Sequence, residues 1–331
     1  MIGFRNPLRA FVTFCLWLGM ASAAVCQSYP SRPITMIVPL GPGGSTDIIA
    51  RTVAEGMGAI LGQPIIVENS TGAGGTIGVG RLARATPDGY TIGIGQWGTH
   101  VANGVTYRLG YDVVKDFEPI GLIATQPFLI DARKSLPASD LQDLINWLRS
   151  NADTAAQGNS GVGTPSYVAG ILFQNAIGVH IPMVPYRGAG ESMQGMVAGH
   201  IDIMLDTPAV AMAQVRGGTI NSFAVTAKTR LAIAPSIPTT DEAGLPGFYF
   251  SFWHALWAPK DTPKDVIAKL NDAMTKVLAD PIIGQKLMDL GQELFPCEQQ
   301  TPEALAAYQK MEIEKWWAII KAMNIAVRHD G

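Results

Sequence analysis

Hydroxyl and carboxyl side chains follow a glycine turn near the start of the chain. Residues 39–47, Pro-Leu-Gly-Pro-Gly-Gly-Ser-Thr-Asp, lie between a predicted strand and a predicted helix. The first N–H groups of a helix lack intrahelical acceptors and carry partial positive charge, and glycines allow close approach to the backbone. Ser45 and Thr46 add hydroxyl groups, so the segment is typical of a site for a carboxylate or small oxyanion. The alternative is an ordinary glycine turn capped by Ser45 or Asp47.

A second loop of the same kind lies in the middle of the chain. Residues 161–167 read Gly-Val-Gly-Thr-Pro-Ser-Tyr, with Thr164 as a predicted N-cap and Pro165 at the first helical position. Two helix N-termini that face each other would hold both carboxylates of a dianion without Arg or Lys. Simple capping is again the alternative for the loop at residues 161–167.

A carboxylate at Asp47 would repel such a ligand, so we expect Asp47 to cap the helix, hold a water or meet a polar ligand group.

Three further features are weaker candidates. Residues 71–76 resemble a phosphate-cradling turn but lack the lysine of a P-loop, so a tight strand–helix turn is the simpler interpretation. Asp206 ends a predicted buried strand, where doubly wound sheets place ligand-binding groups, although a turn or capping Asp would look the same. Several aromatic side chains would either line an organic ligand or fill the core: Trp97, Phe128, Tyr167, Phe252 and Trp253.

Catalytic and metal chemistry find little support in the residue pattern. No Gly-x-Ser-x-Gly elbow and no His-Glu-x-x-His motif is present, and the five histidines are scattered. We therefore predict no catalytic residue, no metal and no cofactor. An exported α/β hydrolase using Ser45 or Ser160 is the alternative, but the sequence nominates no histidine for it. A formal net charge of −3, without a run of Lys or Arg, argues against nucleic-acid binding.

Strands and helices must alternate to position these loops. Short β-branched runs at residues 34–39, 65–69 and 90–94 are separated by helical periodicity, and Gly62 is expected to end the first helix. This alternation predicts parallel, doubly wound sheets. The middle of the chain repeats the pattern. The C-terminal part is mostly helical, with Thr262-Pro263 and Thr301-Pro302 as predicted helix starts.

The first 26 residues have the anatomy of a secretory signal peptide. Arg5 and Arg9 precede an apolar run at residues 10–20, and small residues follow it. The run is too short for a typical membrane-spanning helix, although an N-terminal anchor is the alternative. Without residues 1–26 the chain has 22 Lys and Arg and 27 Asp and Glu, a net charge of −5. We expect an exported protein that relies on its core, because only three cysteines are present.

Several motifs together resemble one known family. They cover the whole chain after the signal peptide, in order, at residues 29–34, 38–47, 67–69 with 72–75, 87–90, 184–188, 244–247 and 257–259. The chain is similar to the Bug family of periplasmic solute-binding proteins, the receptors of tripartite tricarboxylate transporters. The resemblance implies an α/β fold of two lobes joined by two crossover strands, closing on a ligand like a Venus flytrap. Lobe one would comprise residues 27–125 and 248–331, and lobe two residues 126–247.

The same resemblance implies the site and the partners. The residues matching the family's ligand-binding positions are Ser45, Thr46, Asp47, Thr99, Gly163, Thr164, Ser166 and Asp206. Relatives often carry His where this chain has Tyr167, which favours a flatter, aromatic ligand at that end. We expect a monomer in the periplasm that binds a small organic mono- or dicarboxylate and delivers it to membrane permease subunits. A ligand-binding partner of a sensor kinase is a further alternative.

Overall fold

The computed structural model describes residues 29–322 and 328–329, so the predicted signal peptide lies outside the described residues. The first part of the chain alternates strands and helices as the periodicity predicts. Its elements are β1 (Ile34–Val38), α1 (Ser45–Leu61), β2 (Ile65–Asn69), α2 (Thr76–Ala83), β3 (Thr91–Gln96), a π-helical turn (Gly98–Ala102), α3 (Asn103–Thr106), β4 (Tyr107–Arg108) and β5 (Phe117–Pro127). Gly62 ends α1 in the left-handed conformation, as expected.

The middle part carries its own set of strands and helices. In chain order these are β6 (Leu129–Arg133), α4 (Leu141–Ser150), β7 (Gln157–Asn159), α5 (Pro165–Ile177), β8 (Met183–Pro185), α6 (Ala189–Val197), β9 (Ile203–Asp206), α7 (Pro208–Arg216) and β10 (Ile220–Val225). Thr164 is the N-cap of α5 and accepts a hydrogen bond from the Tyr167 N–H, with Pro165 at the first helical position. The predicted start of this helix is therefore confirmed.

The last part returns to the first sheet and is mainly helical. It contains β11 (Ser251–Pro259), α8 (Lys264–Ala279), α9 (Pro281–Met288), β12 (Glu293–Leu294), α10 (Pro302–Ala322) and β13 (Arg328–His329). The prediction that Thr262 caps α8 is wrong, because Pro263 holds the N-cap position. The Thr262 hydroxyl donates instead to the Pro259 carbonyl oxygen at 2.7 Å. No helix in the described ranges has the length and apolarity that crossing a membrane requires.

Two mixed sheets give the molecule its two lobes. The first has the strand order β12-β5-β11-β3-β1-β2, with β1 parallel to β2 and β3. The second has the order β10-β6-β9-β7-β8, with β7 parallel to β8 and β9. The strands that come back from the other lobe, β11 in the first sheet and β6 in the second, pair antiparallel. The α/β, two-lobed fold is confirmed, while the residue boundaries of the lobes stay a prediction.

Two neighbouring chain segments connect the sheets. One passes from β5 to β6 through Phe128, and the other returns from β10 to β11 through residues 226–250. They touch where Thr226 donates its N–H to the Phe128 carbonyl oxygen at 2.8 Å and accepts the Phe128 N–H at its hydroxyl oxygen at 2.9 Å. Around them lies a buried aromatic cluster that includes Trp97, Phe128 and Phe250. Packed side chains thus surround the connections on which both lobes depend.

Candidate functional site

A cavity lies between the two sheets, at the ends of β1, β3 and β9. Together with its open mouth it contains about 440 Å³ of space free of protein atoms. The residues that the first lobe contributes to the wall are Leu40, Gly41, Gly44, Ser45, Thr46, Gln96 and Phe252. Those of the second lobe are Ser160, Pro165, Ser166, Gly188, Ala189, Asp206 and Thr207. Phe128 of the connecting segment completes the wall.

Four helix N-termini meet at this cavity. Ser45 begins α1 and Pro165 begins α5, the two loops that the sequence predicts. The starts of α6 at Ala189 and of α7 after Thr207 join them. Each start presents N–H groups without intrahelical acceptors and roughly half a positive charge. No Lys or Arg lines the cavity in the described part of the chain, so the backbone supplies the positive potential.

The hydroxyl groups of the α1 loop are engaged with other side chains. Ser45 Oγ donates to Gln126 Oε1 at 2.6 Å, and Gln126 Nε2 donates to the Leu290 carbonyl oxygen at 2.8 Å. Thr46 Oγ1 shares a hydrogen bond of 3.1 Å with Nε2 of the fully buried His254. Burial lowers the pKa of His254 to about 3, so its ring is neutral. The donors that remain for an anion at this loop are therefore backbone N–H groups.

Asp47 holds the start of α1 in place and does not line the cavity. Its carboxylate accepts hydrogen bonds from both the Arg51 Nε and Nη2 atoms, from Asn69 Nδ2 and from the Gly43 N–H, at 2.9–3.1 Å. Burial alone would raise the pKa of Asp47, but these hydrogen bonds and the Arg51 charge lower it below its ordinary value. Asp47 thus connects α1 to the glycine turn and to Asn69, but its carboxylate caps no N–H group of α1 itself, and only its backbone N–H is left for a ligand.

The α5 loop is ordered by a cluster of hydroxyl groups. Thr164 Oγ1 lies 2.6 Å from the Gly161 carbonyl oxygen and 3.2 Å from both Ser160 Oγ and Ser166 Oγ. Ser166 Oγ also accepts the Ser160 N–H at 2.9 Å. Ser160 and Ser166 line the cavity, and Thr164 lies behind them. Thr164 therefore positions the two serines that face the ligand space.

Besides Asp47 and Thr164, three more of the predicted site residues lie beside the cavity rather than on its wall. Thr99 is fully buried and contacts His100 Nδ1 at 2.9 Å, so that Gln96 lines the cavity from this loop instead. A Cβ atom at Gly163 would lie 2.9 Å from the Tyr107 ring, which places Gly163 at a contact between the lobes. Tyr167 packs half-buried against the aromatic core. A direct role for Tyr167 in selecting the ligand stays a prediction.

Asp206 is the acidic side chain on the cavity wall. Its Oδ1 accepts the Thr207 N–H at 2.7 Å, whereas its Oδ2 is buried and has no partner in the described structure. The Thr207 hydroxyl beside it is also buried without a partner. Burial raises the pKa of Asp206 to about 7. Two unsatisfied polar groups next to each other thus face a space that a ligand would fill.

Several wall residues are missing from the sequence-based prediction. The start of α6 directly follows the motif at residues 184–188, so this helix start had a signal. The wall residue Gln96 had none, and neither had Gln126 and His254, which contact the α1 loop behind the wall, because only the strand pairing brings β3, β5 and β11 together. Of the aromatic candidates, Phe128 and Phe252 line the cavity, whereas Trp97 and Trp253 are core residues.

The hydrogen-bond partners of Ser45 and Ser160 concern the hydrolase alternative, which needs a histidine beside one of these serines. Ser45 donates to an amide oxygen, and Ser160 contacts Thr164 and Ser166. The buried His254 reaches Thr46 rather than Ser45. In the described residues, no cluster of three or more His, Cys, Asp or Glu side chains is arranged to hold a metal ion.

Comparison with known proteins agrees with this geometry. Residues 49–325 match the family described as "Tripartite tricarboxylate transporter family receptor". A UPF0065 protein of Agrobacterium vitis, encoded in the TAR-I ttuE–ttuC′ intergenic region, is 38% identical over 308 residues, which are 93% of this chain and 88% of that protein.

Two solved structures share the fold over nearly the whole described chain. The periplasmic binding protein BugD is 37% identical with a TM-score of 0.86, over 90% of this chain and 100% of BugD. MatC from Rhodopseudomonas palustris, solved with bound malate, is 37% identical with a TM-score of 0.84, over 88% of this chain and 100% of MatC. BugD is a periplasmic binding protein, and the matching family is one of receptors and not of enzymes. The chain belongs to the tripartite tricarboxylate transporter receptor family, the Bug proteins.

Proposed function

We propose that this protein captures a small organic carboxylate between its two lobes in the periplasm and delivers it to the membrane permease of a tripartite transporter. The observation that carries the proposal is the meeting of four helix N-termini at a cavity whose wall has no Lys or Arg among the described residues. Such a wall favours an anion through backbone N–H groups. The malate bound to MatC supports a dicarboxylate of about that size.

The two lobes would each bind one end of the ligand. The α1 loop with Ser45, Thr46 and the Asp47 N–H group belongs to the first lobe, and Ser166 and Asp206 belong to the second. A ligand that contacts both lobes only when they are closed stabilises the closed form by its difference in affinity for the two states. Closure is then the signal by which a permease would distinguish loaded from empty receptor.

A thermal-shift screen over carboxylates tests the binding step. A ligand at 100 times its dissociation constant should add about 2.7 kcal/mol to the free energy of unfolding, provided that it binds only the folded form. We expect mono- or dicarboxylates to raise the melting temperature, with malate, succinate, adipate and benzoate as first compounds. The matching diamides and benzamide serve as neutral controls. A screen in which only the neutral compounds shift the melting temperature would contradict an anion site.

Delivery to a permease is tested separately from binding. A strain lacking this receptor should lose uptake of the radiolabelled ligand found in the screen, and the intact gene should restore it. Normal uptake in that strain, with loss of a transcriptional response to the same ligand, would support the sensor-partner alternative instead. Saturable ester hydrolysis lost in Ser45→Ala would support the hydrolase alternative.

A further inference from the structure

Asp206 has an unusual position for an anion-binding site. The residue ends β9, lines the cavity and is 3% exposed. Its Oδ1 is occupied by the Thr207 N–H, but Oδ2 and the neighbouring Thr207 Oγ1 are both buried without a partner in the described structure. Buried polar groups without partners are costly, and at a binding site they indicate where a ligand makes its hydrogen bonds. We therefore expect one polar group of the ligand to bind at this Asp206–Thr207 pair.

The charged groups around the Asp206–Thr207 pair do not balance a negative charge on Asp206. On the neighbouring strand β6, Asp131 is fully buried, and Arg133 is already paired with Asp202 at 2.7 Å. The other titratable groups on elements packed against β9 are Tyr167 on α5, Glu191 on α6 and Arg216 at the far end of α7, while β7 carries none. Across the cavity, the neutral His254 contacts Thr46. No cation of the described chain therefore balances a carboxylate here.

We propose that Asp206 binds the ligand as a neutral carboxylic acid, donating its Oδ2–H to one carboxylate of the ligand while Thr207 Oγ1 donates to the same group. At pH values at which free Asp206 is ionised, the receptor would then take up one proton together with each carboxylate ligand. This inference rests on the proposed function and specifies how the second lobe recognises the anion. Two facing carboxylates would repel each other in a buried site, whereas a single shared proton makes the contact attractive and short.

The burial of Asp206 supports this assignment. Burial raises the pKa of Asp206 to about 7, so the acid form is readily available near neutral pH. Above that pH, free Asp206 is ionised and must take up a proton before it can bind the ligand. The apparent dissociation constant should then rise about tenfold per pH unit, and it should be constant at lower pH as long as the ligand stays ionised.

Titration calorimetry over a pH series tests the proposal directly. Succinate, malate and adipate are titrated into the wild-type protein from about pH 5.5 to about pH 8.5, in two buffers of different ionisation enthalpy. We expect tenfold weaker binding per pH unit at the alkaline end and uptake of close to one proton per ligand there. A dissociation constant independent of pH, or proton release on binding, would overturn the proposal.

Two matched variants locate the proton. Asp206→Asn keeps a donor of the same shape but cannot ionise, so its affinity should be within a few-fold of wild type at acidic pH and independent of pH. Asp131→Asn removes the neighbouring buried carboxyl group, which does not line the cavity, and should keep the wild-type pH profile. If instead Asp131→Asn abolishes the pH dependence while Asp206→Asn keeps it, the proton belongs to Asp131 and the proposal is wrong.

The choice of ligands separates this proposal from the one on which it rests. Succinate carries no hydroxyl group, so it can only accept from Asp206, whereas malate also has a hydroxyl donor. Binding of malate but not succinate, abolished in Asp206→Asn, would mean that an ionised Asp206 accepts from the ligand. Binding without pH dependence overturns only the neutral-acid proposal. Failure of every carboxylate in the thermal-shift screen to bind at any pH would overturn the proposed function itself.

Discussion

Hydroxyl side chains at the cavity mainly hold other groups in position. Ser45 donates to Gln126, Thr46 shares its hydrogen bond with His254, and Thr164 joins Ser160 to Ser166. Hydroxyl groups already engaged in this way fix the geometry of the loops without adding charge. Apart from the Thr207 hydroxyl, the free donors are then backbone N–H groups, whose positions depend on those hydroxyl contacts. Substitutions at these residues should therefore change affinity through loop geometry.

Thr164→Ala tests this positioning role. Loss of an N-cap side chain costs about 1 kcal/mol of the free energy of unfolding, so the variant should remain folded. We expect weaker ligand binding, because Ser160 and Ser166 lose their common partner. Calorimetry of the variant beside Thr164→Ser, which keeps the hydroxyl group, measures the effect. An unchanged affinity in Thr164→Ala would remove this loop from the site.

His254 should make the fold sensitive to acid. Burial lowers its pKa to about 3 in the folded protein, against an ordinary value of 6.5. Between these values the unfolded chain binds one more proton than the folded chain. The free energy of unfolding therefore falls with decreasing pH, by about 1.4 kcal/mol per pH unit from this residue.

His254→Gln removes this contribution from the pH profile. In urea unfolding between about pH 4 and pH 6, the slope of the free energy of unfolding against pH should be smaller than in wild type by about 1.4 kcal/mol per unit. Only this difference between variants is informative, because the buried Asp206 contributes a slope of opposite sign: its raised pKa stabilises the folded form at low pH. His180→Gln, at an exposed position, is the control. Equal slopes in both variants would show that His254 is not held neutral.

At the scale of elements, the start of α1 depends on one carboxylate with several partners. Asp47 connects the helix to the glycine turn through the Gly43 N–H and to β2 through Asn69. Arg51 completes the set and is itself half exposed. The position of the α1 N–H groups at the cavity is thus set by contacts outside it.

Arg51→Ala should disturb the site from outside the cavity. It leaves the buried Asp47 carboxylate with fewer donors, which costs about 1–3 kcal/mol of the free energy of unfolding. We also expect ligand affinity to fall several-fold, because the α1 start loses a restraint. Arg81→Ala breaks the exposed Arg81–Glu68 pair and should change neither quantity measurably. Similar effects of both substitutions would contradict a special role for the Asp47 cluster.

Only some of the helix starts at the cavity can be predicted from the sequence. The starts of α1 and α5 are predictable because glycine turns, the Thr164 cap and Pro165 are local signals. That the starts of α6 and α7 reach the same cavity depends on the order of strands in the second sheet, which no local pattern encodes. The error at Thr262 has a local origin, since its hydroxyl donates to the carbonyl oxygen of the preceding Pro259 instead of capping α8. Asp206 is predictable from its position at a strand end. That its Oδ2 lacks a partner is visible only once the neighbouring elements are packed around it.

At the scale of the whole molecule, the two lobes touch directly around the cavity. Tyr107 Oη donates to the Val162 carbonyl oxygen at 2.7 Å, and Gly98 lies against Pro165 at the start of α5. A Cβ atom at Gly98 would lie 2.8 Å from Pro165 Cδ. The described arrangement is therefore a closed one, and close backbone approach at Gly98 is part of what permits closure.

Gly98→Ala should act as a wedge between the lobes. Overpacking costs about 1–3 kcal/mol. The contact with Gln96 Oε1 at 3.1 Å lies within one lobe, whereas the closer contact with Pro165 exists only in the closed form. Ligand affinity should therefore fall about tenfold, with a larger radius of gyration of the ligand-saturated protein in X-ray scattering. Gly110→Ala is the control, since a Cβ atom at Gly110 meets no atom within 4 Å. Wild-type affinity in Gly98→Ala would show that the described contact is not needed for binding.

The four helix starts at the cavity have a consequence for how such receptors diversify. A backbone N–H survives every substitution except one to proline, so the general attraction for anions is insensitive to most point mutations at the wall. Half-buried side chains of the wall, such as Leu40 and Ala189, are then free to vary and select the shape of the ligand. A change of specificity in this scaffold does not require rebuilding the means of holding a negative charge. Libraries that vary only these two positions should yield new carboxylate binders rather than inactive proteins.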